Sequence, residues 1–173
     1  MPVETLKAAL RDVEDFPQKG IIFKDITPVL SSPELFKLAI EQMTLGFQGS
    51  KIDKIVGIDA RGFIFGAAMA NSLSCGFTPA RKVGKLPWNT IQETYTLEYG
   101  EATLELHADA VKSGEKVLIV DDLLATGGTA AAAARLVEKL GAEIIAIQFF
   151  VELSFLSGRD KLSGYPVKSL IQI

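Results

Sequence analysis

Two adjacent carboxylates close an apolar run, Val117-Leu118-Ile119-Val120-Asp121-Asp122, and stand just ahead of Ala125-Thr126-Gly127-Gly128-Thr129. Adjacent glycines let a backbone wrap closely around an anion. Successive N–H groups can then converge on it as a nest. A helix opening at this turn adds partial positive charge, and the threonine hydroxyls add donors. The Gly-Lys-Ser/Thr of the Walker loop is missing, and no Gly-x-Gly-x-x-Gly follows a strand, which disfavours triphosphate hydrolysis and dinucleotide binding. Carboxylates accept hydrogen bonds from vicinal hydroxyls and can hold Mg²⁺ directly or through water. A phosphate cradle beside hydroxyl acceptors describes a ribose 5-phosphate site.

The segment Ile55-Val56-Gly57-Ile58-Asp59-Ala60-Arg61-Gly62 repeats the plan: an apolar strand, a short turn with an acid and a base, then a helix. The Arg61 guanidinium is a planar fork of donors suited to phosphate oxygens. Taken alone, this turn reads as a surface arginine beside a helix start. Two such turns on neighbouring strands are harder to dismiss. Arg81-Lys82-Val83-Gly84-Lys85-Leu86-Pro87 follows another strand end, and by itself reads as a solvated basic turn.

Together these segments resemble the type I phosphoribosyltransferases, and the resemblance covers the chain from about Phe16 to its end. It implies that Asp121 and Asp122 contact the ribose hydroxyls, and that Ala125, Thr126, Gly127, Gly128 and Thr129 hold the 5-phosphate. It implies a pyrophosphate loop at Asp59, Ala60 and Arg61, helped by Arg81 and Lys85, in a backbone whose strain or cis peptides sequence cannot show. Glu93-Thr94-Tyr95-Thr96-Leu97-Glu98-Tyr99-Gly100 is similar to the flexible catalytic loop of the branch that uses adenine, which makes Glu98 the candidate acid or base. Gly20 to Leu30 is similar to that branch's N-terminal hood. There Phe23 would stack on the base, the backbone at Ile22 and Lys24 would read its edge, and Leu123 and Leu153 would line the other side. The implied partners are adenine, phosphoribosyl pyrophosphate, AMP and pyrophosphate, with Mg²⁺ carried by the donor and touched by Asp121 or Asp122, in a homodimer. Pro87-Trp88-Asn89 departs from the pattern through its tryptophan. A sister enzyme with another acceptor base, or a regulator that senses the same donor, remains open at this level.

The elements that must position these residues alternate. Leu6 to Val13 has helical spacing, and Phe16 to Pro28 reads as loop around Pro17 and Gly20. Ser32-Pro33-Glu34 starts a helix with a capping serine and a proline whose missing N–H costs nothing. Strands are expected at 54–58, 77–81, 116–120, 144–151 and 167–171, helices at 62–73 and up to Leu140, and a β-pair at 91–97 and 102–106 around Gly100. Ala130 to Ala134 reads simply as a good helix former. This pattern predicts an α/β fold with a parallel central sheet flanked by helices, and ligands at the carboxyl ends of its strands. One domain over 1–173 is expected, with the hood at about 1–30 and the flexible loop at about 83–99.

Bulk properties narrow the class further. The chain has 173 residues, 48% hydrophobic and 23% charged, a globular balance that argues against intrinsic disorder. A net charge of -3 disfavours nucleic acid as a partner. A single cysteine, Cys75, fits a reducing compartment. The apolar runs are too short for a membrane span and no secretory signal is expected, so the reading is cytoplasmic. His107 and Cys75 have no chemical partner in the sequence and are read as structural.

Overall fold

The structure, a computed structural model, describes residues 1–97 and 99–173. They form two compact units, Met1–Gly46 and Phe47–Ile173.

In the first unit, α1 (Pro2–Ala8) begins with Pro2, where a fixed φ and a missing N–H suit a helix start. The helix expected over Leu6–Val13 ends at Ala8, and Arg11–Glu14 is instead strand β1. It pairs antiparallel with β2 (Ile22–Asp25), inside the segment read as loop. The spacing of Leu6, Leu10 and Val13 suits a helix, but the ladder from Arg11↔Asp25 to Glu14↔Ile22 overrides it. Arg11 Nε donates to Asp25 Oδ2 at 3.0 Å across the same pair. A short α2 (Thr27–Ser31) leads to α3 (Pro33–Leu45). Its start is as expected: Ser32 Oγ accepts from the Leu35 N–H at 3.2 Å.

The second unit runs β3 (Lys54–Ile58), α4 (Gly62–Ser72), β4 (Gly76–Lys82), β5 (Thr90–Thr96), β6 (Glu101–His107), β7 (Lys116–Leu124), α5 (Gly128–Lys139), β8 (Glu143–Glu152) and β9 (Val167–Gln172), with two 3₁₀ turns between β8 and β9. The sheet order is β5-β6-β4-β3-β7-β8-β9. From β4 to β9 the pairs are parallel, whereas β6 pairs antiparallel with β4 and with β5.

Alternate strand residues face opposite helices. Val56, Ile119 and Phe149 pack with the buried alanines of α5. On the other face, Phe65 of α4 stacks on Phe150 at 4.8 Å. The alanine run therefore does more than favour helix: Ala130 to Ala134 are all buried, and small side chains let α5 lie close to the sheet. Gly57 leaves room for the Phe77 ring of β4, since a Cβ there would sit 2.5 Å from it.

The strand expected to end at Val120 continues to Leu124. Its pairing with β3 stops at Gly57↔Val120, but its pairing with β8 runs on to Leu124↔Glu152. Asp121 and Asp122 thus stand on a strand extension whose β3 side has come open. Among the described residues, no helix is long and apolar enough to cross a membrane.

Candidate active site

The turn from Ala125 to Thr129 lines a small cleft of about 80 Å³, together with Asp121 and Leu123. Gly127 precedes α5 at φ 88°, a left-handed conformation that side chains resist. A Cβ at Gly127 would also collide with the Gly158 carbonyl oxygen, and one at Gly158 with the Ala125 carbonyl oxygen. The cradle is therefore clamped from behind by a second glycine turn. Gly158 was not legible as part of the site, because its signal is a contact distant in sequence.

A larger cleft of about 340 Å³ adjoins the cradle and shares Asp121, Leu123 and Thr129 with it. Asp59, Ala60, Arg61 and Asp122 also line it. So do Lys82 and Tyr95, neither of which the sequence singled out. Lys82 was hidden among neighbouring cations, and Tyr95 lies in a segment read for its glutamate.

The turn at Asp59–Gly62 and the strand extension at Asp121–Asp122 meet directly. Arg61 Nε lies 2.6 Å from Asp122 Oδ2, whose side chain is 9% exposed. A Cβ at Gly62 would stand 2.8 Å from Asp121 Oδ1, so the residue after Arg61 must be glycine for the turns to approach. The Asp121 carboxyl is held well above the usual carboxylate range, first by burial and then by the Asp122 charge. The Asp122 N–H, at 2.8 Å from Asp121 Oδ1, and Arg61 only partly offset this. Asp59 behaves oppositely. Burial is the largest single influence and would raise its carboxyl, but the Lys82 N–H and the Arg81 and Lys85 charges together hold it lower. Arg81 Nε is 3.3 Å and Lys85 Nζ 3.5 Å from Asp59 Oδ2. The Asp59–Ala60 peptide is cis.

The β5–β6 ribbon borders this cleft. Thr129 Oγ1 donates to the Tyr95 hydroxyl at 3.1 Å. Glu93 bridges to Arg135 at 2.7 Å and Lys139 at 2.6 Å on α5, and these two cations hold its carboxyl below the usual range. At the ribbon's start, the Trp88 ring meets His107 edge-on at 6.3 Å. Glu98 lies outside the described residues.

Of the base-binding candidates, Ile22, Phe23 and Lys24 lie on β2 of the first unit. Phe23 packs edge-on against Phe16 at 5.1 Å. With Val13 and Asp25 they line a cavity of about 200 Å³. Lys24 pairs with Asp12 at 2.5 Å. In the second unit, Leu123 lines both clefts, and Leu153 follows β8 with its N–H on the Leu124 carbonyl.

A backbone cradle, an adjoining pair of acids and nearby cations are the parts of a phosphorylated-sugar site. The phosphoribosyl transferase domain family matches residues 33–170. An adenine phosphoribosyltransferase of Anaeromyxobacter dehalogenans is 54% identical over 98% of both chains. This chain belongs to the adenine phosphoribosyltransferase family. It is a pentosyl-transferring enzyme. The adenine phosphoribosyltransferase structure from Rhodothermus marinus superposes with a TM-score of 0.95 at 53% identity, covering 99% of this chain and 98% of that one. The enzyme from Saccharomyces cerevisiae, solved with an imino-altritol bisphosphate and adenine, gives 0.93 at 44% identity over 98% of each chain.

Proposed function

We propose that this chain transfers the 5-phosphoribosyl group of phosphoribosyl pyrophosphate to N9 of adenine, releasing pyrophosphate and forming AMP, a purine-salvage step. The observation that carries the reading is the cradle at Ala125–Thr129 opening into the cleft walled by Asp121, Asp122 and Arg61. A backbone cradle suits the 5-phosphate, the acids suit the ribose hydroxyls, and the cationic side suits pyrophosphate.

In the reaction the bond from C1 to pyrophosphate breaks as N9 bonds to C1, through an oxocarbenium-like transition state of the kind seen in glycosyl transfer. Asp121 and Asp122 hold the ribose and offset charge developing on it. Arg61, Arg81 and Lys85, joined by Lys82 on the cleft wall, take up charge on the leaving group. Glu98 handles the proton at the purine ring. For the base, Phe23 supplies a stacking face, backbone groups at Ile22 and Lys24 supply edge contacts, and Leu123 and Leu153 supply apolar ones. The hood of about residues 1–30 and the loop of about 83–99 exclude water that would hydrolyse the donor.

The acids fit Mg²⁺ that arrives with its own phosphate and water ligands better than an all-protein cage. Asp122 is already committed to Arg61, and among the described residues no group of three or more His, Cys, Asp or Glu converges on one point. Such an ion neutralises phosphate charge on the donor, with Asp121 or Asp122 reaching it directly or through water. The reading extends to a cytoplasmic homodimer, an arrangement able to bring basic side chains of one copy toward the other's donor cleft.

The deciding assay combines purified protein, Mg²⁺, phosphoribosyl pyrophosphate and each purine base in turn. AMP from adenine is the expected result. Nucleotide from another base would overturn the acceptor assignment. No product from folded, donor-binding protein would favour a regulator.

A further inference from the structure

The Tyr95 hydroxyl has a proton left over. Its oxygen accepts from Thr129 Oγ1 at 3.1 Å, and a phenol can donate as well as accept. Among the described residues, none accepts that proton. Tyr95 shares the wall of the larger cleft with Asp121, Asp122 and Thr129, and Thr129 also belongs to the cradle.

The position is held from two sides. Glu93 lies on the same face of β5, two residues earlier, and its pairs with Arg135 and Lys139 tie the strand to α5. The first turn of that helix forms the cradle. The Tyr95 ring passes directly over it, since a Cβ at Gly128 would be 3.4 Å from Tyr95 Cδ2.

We propose that Tyr95 is a further donor-binding residue: oriented by Thr129, its hydroxyl gives a hydrogen bond to an oxygen of the 5-phosphate. This rests on the donor cleft proposed above. It makes the ribbon part of the phosphate site, so the cradle has a wall contributed from outside the Asp-Asp/Gly-Gly segment. An anionic oxygen is the natural acceptor, because charge-assisted hydrogen bonds are about twice as strong as neutral ones.

The test is calorimetric titration of the full chain with two probes, ribose 5-phosphate and inorganic pyrophosphate, for the unaltered protein and Tyr95→Phe. The ring and its packing survive that substitution, and a thermal melt verifies folding. The expected result is a Kd for ribose 5-phosphate raised about tenfold, with pyrophosphate binding unchanged. In steady-state assays KM for phosphoribosyl pyrophosphate should rise by a similar factor while kcat barely moves. Thr129→Val provides a second arm: it removes the orienting donor and should weaken ribose 5-phosphate binding more when made in the unaltered protein than when combined with Tyr95→Phe. Unchanged ribose 5-phosphate affinity in Tyr95→Phe, or equal weakening of both probes, overturns the assignment. Unaltered protein that binds ribose 5-phosphate but forms no AMP would instead sink the proposed reaction, and the titrations would still decide the role of Tyr95.

Discussion

The two turns proposed to bind anions lie at the ends of neighbouring parallel strands and are built by different means. The turn after β7 contains no cation; its working parts are backbone N–H groups, hydroxyls and glycines packed against glycines. The turn after β3 works through side chains, with Arg61 on Asp122, and Arg81 and Lys85 on Asp59. A backbone cradle selects by shape and fails if its path shifts. A side-chain site selects by charge, and here all three cations are paired with carboxylates.

The largest effect is expected where shape is broken. Gly127→Ala forces a side chain into the left-handed region and against Gly158, which should destabilise the protein by about 1–3 kcal/mol. Displacing the cradle should also lower kcat/KM for the donor by about 100-fold or more. A melt paired with steady-state kinetics measures both. Near-normal kinetics would show that the cradle does not need this path.

Arg61→Ala should be gentler on the fold and lower kcat/KM by about 10–100-fold, the size of a lost charged hydrogen bond. The contrast sharpens with salt. KM for the donor should depend on ionic strength through the Arg61 side, so the variant's salt dependence should be shallower than that of the unaltered chain. Equal salt slopes would erase the distinction between the turns.

Asp121→Asn separates stability from activity. Because the folded carboxyl is raised, its favourable contribution is complete below the ordinary value of 3.8 and is lost as pH rises through the folded value. The variant should therefore match the unaltered protein near pH 3 and melt about 2–4 °C higher at pH 8, while losing activity. A lower Tm at pH 8 would contradict burial as the main cause.

The smallest effect lies outside both turns. Glu93 is held below its ordinary value of 4.5, so its contribution is present above that value and fades as pH falls through the folded one. Its partners are half-exposed, so Glu93→Gln should cost no more than about 1 kcal/mol at pH 7. Stability difference against pH, followed by denaturant melts, should close toward zero in acid.

Sequence made β3, β7 and β8 legible because they contain apolar runs, and β5 and β6 legible as a pair around Gly100. The second unit's site was legible where the chemistry is contiguous, as from Asp121 to Thr129. Elsewhere the signal was non-local. The β1–β2 ladder joins residues whose own spacing favours a helix or a loop. The extension of β7 past Val120 depends on β8, which no reading of two aspartates could reveal. Gly158 and Tyr95 join the site through contacts distant in sequence, the first with Gly127 and Ala125, the second with Gly128 and Thr129. For Glu98, which lies outside the described residues, the role rests on family resemblance.

Trp88 is the chain's one tryptophan, half-exposed, with its ring edge-on to His107 where the ribbon begins. The native protein thus holds a single tryptophan at the ribbon's root, beside a ring whose distance alters its emission. Stopped-flow fluorescence on the unlabelled chain can time any hinge movement as donor and base arrive, separately from the chemistry.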